Sequence, residues 1–199
     1  MSERVTLPVE IMEKAVQTCE QIQSDSLQAG KTTLLASIYF AQGRYKEAVQ
    51  NFDKIFQNGK NLSATEAESV LHYAESLLQV GRYEDGVSCT LNGSKLLGDN
   101  DSEQKVQLSL LRSKCHQKLK QPEKAIEALE QALPMVQSET MKDQLNYQLS
   151  GLYVEVKDFN KATERLTQLS KSSQPLWKIA AQQQLDYLQM RSSEPKVSF

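Results

Sequence analysis

Four consecutive residues, Gly30-Lys31-Thr32-Thr33, have the types that close a phosphate-binding loop, in which glycine amides and a lysine ammonium cradle nucleotide phosphates. That loop also needs a glycine five residues earlier and a strand leading into it. Residue 25 is Asp25 and the run from Gln21 to Gln28 is polar, so Gly30 reads as a helix boundary and no nucleotide is expected. Metal chemistry fares no better. His72 and His116 are the only histidines, and a zinc site needs three or four clustered ligands. Cys115 adjoins His116, but neighbours on a helix point about 100° apart. Cys19, Cys89 and Cys115 are odd in number and lack Cys-x-x-Cys spacing, so they read as buried free thiols that pack as small hydrophobes. No paired carboxylates share a recognisable pocket, and no Ser, His and Asp constellation is present. The residues therefore predict no catalytic group, no cofactor and no metal: the chain is not expected to be an enzyme.

Charge narrows the partner class. The 199 residues carry 23 basic and 25 acidic side chains, a net charge of −2, with no segment basic enough to follow a phosphate backbone. Nucleic acid is not an expected partner. No run approaches the roughly 20 apolar residues of a membrane helix, so no direct membrane insertion is expected. The opening Met-Ser-Glu-Arg-Val-Thr-Leu-Pro lacks the apolar core of a signal peptide. A cytoplasmic location follows, replaced by a periplasmic or secreted one if the sequence is a fragment of a longer exported chain.

What remains is organisation. Gly43-Arg44-Tyr45-Lys46-Glu47-Ala48 returns as Gly81-Arg82-Tyr83-Glu84-Asp85-Gly86, as Lys120-Gln121-Pro122-Glu123-Lys124-Ala125 and as Lys157-Asp158-Phe159-Asn160-Lys161-Ala162. From residue 48 to 86, 125 and 162 the steps are 38, 39 and 37 residues, a solenoid period. Apolar residues at helical spacing flank each copy, as in Leu34, Leu35, Ile38 and Tyr39 before the first, and Ala48, Val49, Phe52, Ile55 and Phe56 after it. Asn58-Gly59 stops that helix, and Ser63 and Thr65, each with Glu three residues on, are capping boxes for the next. Gly86 and Gly93 weaken the second helix of the second repeat by about 1 kcal/mol each relative to Ala. The unit is helix, tight turn, helix, and the chain reads as one continuous array. An N-terminal helix (8–28) precedes repeats at about 29–62, 63–100, 101–137 and 138–174. A final helix (175–190) carries Leu176, Trp177, Ile179, Ala180, Leu185 and Leu188 toward the core, with Gln182, Gln183, Asp186 and Gln189 toward water, as a capping helix requires. Residues 191–199 read as a flexible tail.

With Ala36 and Tyr39 before Gly43, and Ala48 and Phe52 after it, the chain resembles the tetratricopeptide repeat proteins over roughly residues 29–174. Departures are Gly86 and Thr90 in the second copy, His116 in the third, and a period above the family's usual 34, the extra residues falling in the links. The resemblance implies an all-α, right-handed α-solenoid of about four repeats whose first helices line a concave face. On that face a protein partner is held, commonly an extended peptide. Carried onto this chain, the family's inward-facing sites fall on Thr33, Ser37 and Phe40, then Glu68, Leu71, Glu75 and Leu78, then Gln107, Leu110, Lys114, Gln117 and Lys118, then Gln144, Tyr147, Gly151 and Val154. The implied function is a protein-protein interaction scaffold or adaptor. The alternatives are a regulatory sensor of a signalling peptide and the interaction domain of a larger protein. The oligomeric state is left open.

Overall fold

The computed structural model describes residues 9–21, 28–56, 67–98 and 101–193. Among them are ten α-helices and no strand: α1 (Val9–Glu20), α2 (Gln28–Ala41), α3 (Tyr45–Phe56), α4 (Ala67–Gln79), α5 (Tyr83–Leu96), α6 (Ser102–Lys118), α7 (Pro122–Ala132), α8 (Glu139–Glu155), α9 (Phe159–Leu169) and α10 (Pro175–Ser193). A short 3-10 turn, Leu133–Met135, ends α7 at Pro134, which cannot continue the helical hydrogen bonding. The fold is an all-α solenoid of helix-turn-helix repeats. The stop at Asn58-Gly59 and the capping boxes at Ser63 and Thr65 lie outside the described residues, as does most of the expected tail.

The turns explain the period. One residue in each adopts the left-handed region: Gly43 (φ 72°), Gly81 (φ 83°), Lys120 (φ 56°) and Lys157 (φ 63°). Their spacing repeats the 38, 39 and 37 residues of the sequence motif. In each turn the following residue donates its N–H to a carbonyl five residues back: Arg44 to Tyr39, Arg82 to Leu77, Gln121 to His116 and Asp158 to Tyr153, at 2.8–2.9 Å. The left-handed residue itself donates three residues back. This closes the C-terminal carbonyls of the first helix, and glycine serves it without strain. Lysine at the third and fourth turns carries the cost of a Cβ in that region. The small residue ending each motif is buried, Ala48, Ala125 and Ala162 completely, so paired helices approach closely where it sits. Gly86 takes that place in α5, whose buried face is Gly86, Thr90 and Gly93: the glycines of this helix are packing residues as well as weak helix formers.

The chain divides into two compact units, with the boundary in the sequence between Gln104 and Lys105. The boundary follows the lengthened link after Gly98. In the first unit, α1 to α5, the core is Val16, Cys19, Leu35, Ala36, Tyr39, Ala48, Val49, Phe52, Tyr73 and Leu77. The rings of Phe52, Phe56 and Tyr73 stack at 4.9–5.9 Å between centroids. In the second unit, α6 to α10, the core joins Ile126, Leu129, Leu149, Leu152, Tyr153, Leu166, Leu169, Ala181 and Leu188.

Three assignments of the apolar pattern change. Leu34 is 50% exposed, and the buried residues of α2 are Thr32, Leu35, Ala36 and Tyr39; Leu34 is one residue off that stripe, about 100° round the helix. Leu176 and Ile179 are 80% and 56% exposed, because α10 turns Ala181, Leu188 and the partly buried Trp177 and Leu185 to the core instead. Residues 191–193 continue α10, so the helix runs past the expected start of the tail.

Each unit also has a polar clamp between successive repeats. In the first, the Tyr73 hydroxyl of α4 donates to Asp53 Oδ1 of α3 (2.5 Å), and Arg82 Nη1 donates to Asp53 Oδ2 (2.7 Å). In the second, the Tyr153 hydroxyl of α8 donates to Glu130 Oε1 of α7 (2.7 Å), while Arg165 Nη2 of α9 donates to both Glu130 oxygens (2.7 and 2.9 Å). One carboxylate thus joins three elements. The start of α8 is tied as well: the Ser172 hydroxyl, in the turn before α10, donates to Asp143 Oδ2 (2.5 Å), with both residues buried.

Candidate functional site

These ties place α8 with one face on the core and the other turned to a cleft of about 410 Å³ inside the second unit. Lys114 and Gln117 of α6 line it, with Tyr147, Gln148, Gly151, Leu152 and Glu155 of α8 and Gln184 of α10. From Tyr147 to Glu155 the α8 wall spans eight residues, about 12 Å. Leu152 is buried and forms the apolar floor, and Tyr147 stands 41% exposed above it. The Tyr147 ring leans on Trp177 of α10, with centroids 5.4 Å apart and a 46° tilt, which fixes its direction. Gln117 Nε2 donates to the Ser113 hydroxyl at 3.3 Å.

Gly151 is the telling residue. Its φ is not in the left-handed region, so no turn requires glycine there, and a Cβ added to it would meet no atom within 4 Å. A helix-interior glycine costs about 0.5–1 kcal/mol relative to Ala. Here it leaves the middle of the cleft open.

The lining combines amide, apolar and charged groups. The amides of Gln117, Gln148 and Gln184 both donate and accept, matching the alternating C=O and N–H groups of an extended backbone. Tyr147 and Leu152 offer an apolar seat. Lys114 and Glu155 give one charge of each sign. No nucleophile, metal-ligand cluster or paired carboxylate joins them, and among the described residues no group of three or more His, Cys, Asp or Glu could hold a metal ion.

Of the side chains placed on an inner face by sequence, Lys114, Gln117, Tyr147 and Gly151 come together here. Lys118 is exposed beyond the cleft, and Val154 packs against the core of the second unit. In the first unit Thr33, Ser37 and Phe40 lie on α2, and Leu71, Glu75 and Leu78 on α4, two helices that pack on each other. All six are half-buried. Phe40 is committed to packing: its ring stacks on His72 (4.1 Å, 20°) and meets Tyr45 edge-on at 5.9 Å. Sequence reasoning did not place Gln148, Leu152, Glu155 or Gln184 on this face. Gln184 sits on a helix beyond the last repeat, where the repeat pattern has no site to project.

The Gly30 to Thr33 segment is the opening of α2. Lys31 Nζ donates to the carbonyl of Glu20 at 3.1 Å, tying α2 to the end of α1, and the Thr32 hydroxyl donates to the carbonyl of Gln28 at 2.8 Å within α2. Cys115 is fully buried and its thiol is pushed up to about 11 by burial, which makes it a packing residue. Burial also lowers the pKa of His116, against the hydrogen bond of its ring nitrogen Nδ1 with Gln121 Oε1 at 3.0 Å. No helix among the described residues is long and apolar enough to cross a membrane.

Comparison with known proteins agrees with this architecture. A family model described as anaphase-promoting complex, cyclosome, subunit 3 matches residues 11–93, and one described as tetratricopeptide repeat matches residues 106–133. No curated protein is significantly similar in sequence. Among solved structures, MamA from Desulfovibrio magneticus RS-1 is 17% identical, with 92% of this chain and 88% of that one covered and a TM-score of 0.63. BtubC from P. vanneervenii is 16% identical over 96% of this chain and 75% of that one, with a TM-score of 0.62. The pilF protein of Pseudomonas aeruginosa is 15% identical, covering 94% and 86%, also with a TM-score of 0.62. At these identities the likeness is one of fold. Period, turn geometry and both repeat models meet in one conclusion: the chain belongs to the tetratricopeptide repeat proteins, a family of protein-protein interaction modules.

Proposed function

We propose that the chain is an interaction scaffold whose second unit holds an extended segment of a partner protein in the cleft of α6, α8 and α10. The observation that supports this most is the open space at Gly151, framed by three glutamine amides, an oriented tyrosine and one charge of each sign. An apolar side chain of the partner lies against Tyr147 and Leu152, its backbone bonds the amides, and Lys114 and Glu155 set its direction. Buried apolar anchors supply most of the energy in such interfaces, while exposed charges act on association rate.

Filling the space tests the reading. Gly151→Trp places a ring over the cleft without disturbing a turn. The chain and this variant are each used to capture partners, and the captured segments are mapped with peptide arrays. The variant is expected to lose the partner while keeping its circular dichroism spectrum and melting temperature. Equal capture by a folded Gly151→Trp protein would place the binding surface elsewhere.

A further inference from the structure

A terminal helix of a repeat array is expected to be polar on its outer side. That of α10 is not. Leu176 (80% exposed), Ile179 (56%), Tyr187 (52%) and Met190 (69%) all stand out from it, whereas the other exposed large apolar residues are spread over several helices. At 100° per residue these four fall within an arc of about 80°, opposite buried Ala181 and Leu188, and they run about 21 Å along the axis.

The order of this stripe is symmetric. Leu176 and Met190 are each seven residues from Gln183, and Ile179 and Tyr187 are each four from it, with Gln183 itself on the centre line. We infer that α10 pairs with α10 of a second copy of this chain, antiparallel about a two-fold axis at Gln183. Leu176 then faces the partner's Met190, and Ile179 faces the partner's Tyr187. The two Gln183 amides exchange donor and acceptor on the axis, the self-complementary arrangement that a two-fold interface requires. Like charges stay apart: Asp186, the nearest charge to the stripe, is offset from its own copy by about 9 Å along the axis.

The area suffices. At their exposures the four side chains present about 500 Å² per copy, near the top of the range for the largest patch on a monomer. Two copies together reach about 1,000 Å², the lower bound of a specific interface. An interface at that bound is argued as a weak, reversible one, which sets micromolar concentrations as the range to test. The pairing surface excludes every residue lining the cleft, and it stands whether or not that cleft binds peptide.

Sedimentation of the whole chain from 1 to 200 µM tests this. A monomer-dimer equilibrium is expected, and Ile179→Asp with Tyr187→Asp, both at exposed positions, should raise the dissociation constant at least tenfold while leaving the melt unchanged. In a Cys89→Ser background, Gln183→Cys should be joined to its copy by a short bismaleimide, and Lys178→Cys, which points away from the stripe, should not. A chain that stays monomeric at 200 µM overturns the inference, including the case in which another protein covers the stripe. So does a dimer indifferent to the double substitution, or equal cross-linking at 178 and 183.

Discussion

Replacing Glu130 with Ala removes the carboxylate on which three helices of the second unit converge. Tyr153, only 5% exposed, loses the acceptor of its hydroxyl, and Arg165 loses both of its bonds to Glu130. A hydrogen bond to a charged group contributes about 1.5–3 kcal/mol, and an orphaned buried hydroxyl costs about 1–3 kcal/mol. The Glu130 and Arg165 side chains are 32% and 17% exposed, so water recovers part of the loss. The expected net cost is about 2–3 kcal/mol for Glu130→Ala and about 1 kcal/mol for Tyr153→Phe, which deletes one hydroxyl. Because the two share a bond, the double variant should cost about 1 kcal/mol less than their sum. Trp177, the only tryptophan, lies in the second unit and reports its unfolding in urea directly. With a slope of about 1–2 kcal/mol per molar, the Glu130→Ala midpoint should fall by about 1–3 M. Strict additivity of the two substitutions, or an unmoved midpoint, would refute the clamp as a source of stability.

Alkaline pH should attack the same clamp. Burial first, then the hydrogen bond to Glu130 and its charge, push Tyr153 up to about 12, and burial and Asp53 raise Tyr73 likewise. The folded chain thus holds protons that the unfolded chain releases near pH 10. Stability is fully present below pH 10 and is lost as pH climbs toward about 12, as thermal melts between pH 9 and 12 should show. At the third and fourth turns, Lys120→Gly and Lys157→Gly relieve a left-handed Cβ and should each stabilise by about 0.5–1 kcal/mol, while Gly43→Ala and Gly81→Ala should destabilise by about 1 kcal/mol or more. Gly151→Ala should raise the stability of the second unit by about 0.5–1 kcal/mol, measured by the same urea titration; a loss of stability would mean that the glycine is required by packing.

The helix-turn-helix period was legible in the sequence because it is a local property. A left-handed residue, a small residue five positions on and apolar residues three and four apart determine turn, close approach and amphipathic face within a few dozen residues. Lys120 and Lys157 show the limit of reading by residue type: they occupy the glycine position, and only the recurrence of the whole motif identifies them. Lys114, Gln117 and Tyr147 were placed on one face by the resemblance, whose inward-facing sites were carried onto that repeat.

What local pattern could not decide is how each helix turns about its own axis once it packs. On α10, Trp177 and Ile179 are both apolar and only two residues apart, yet one is turned toward the core and the other toward water. The difference is that Ala181 and Leu188 join the core of the second unit, and burial of one stripe leaves the opposite stripe exposed. The same rotation brings Gln184 into the cleft, and leaves Leu176, Ile179, Tyr187 and Met190 outside. Glu130 likewise carries no mark in the sequence, since a glutamate on a second helix reads as a solvated side chain. Its role arises because Tyr153 and Arg165, 23 and 35 residues later, arrive beside it when the repeats stack. The sequence alone determined the repeat and its turns, because those depend on near neighbours; rotation, cleft and clamp were decided by tertiary packing, because they depend on residues that meet only across helices.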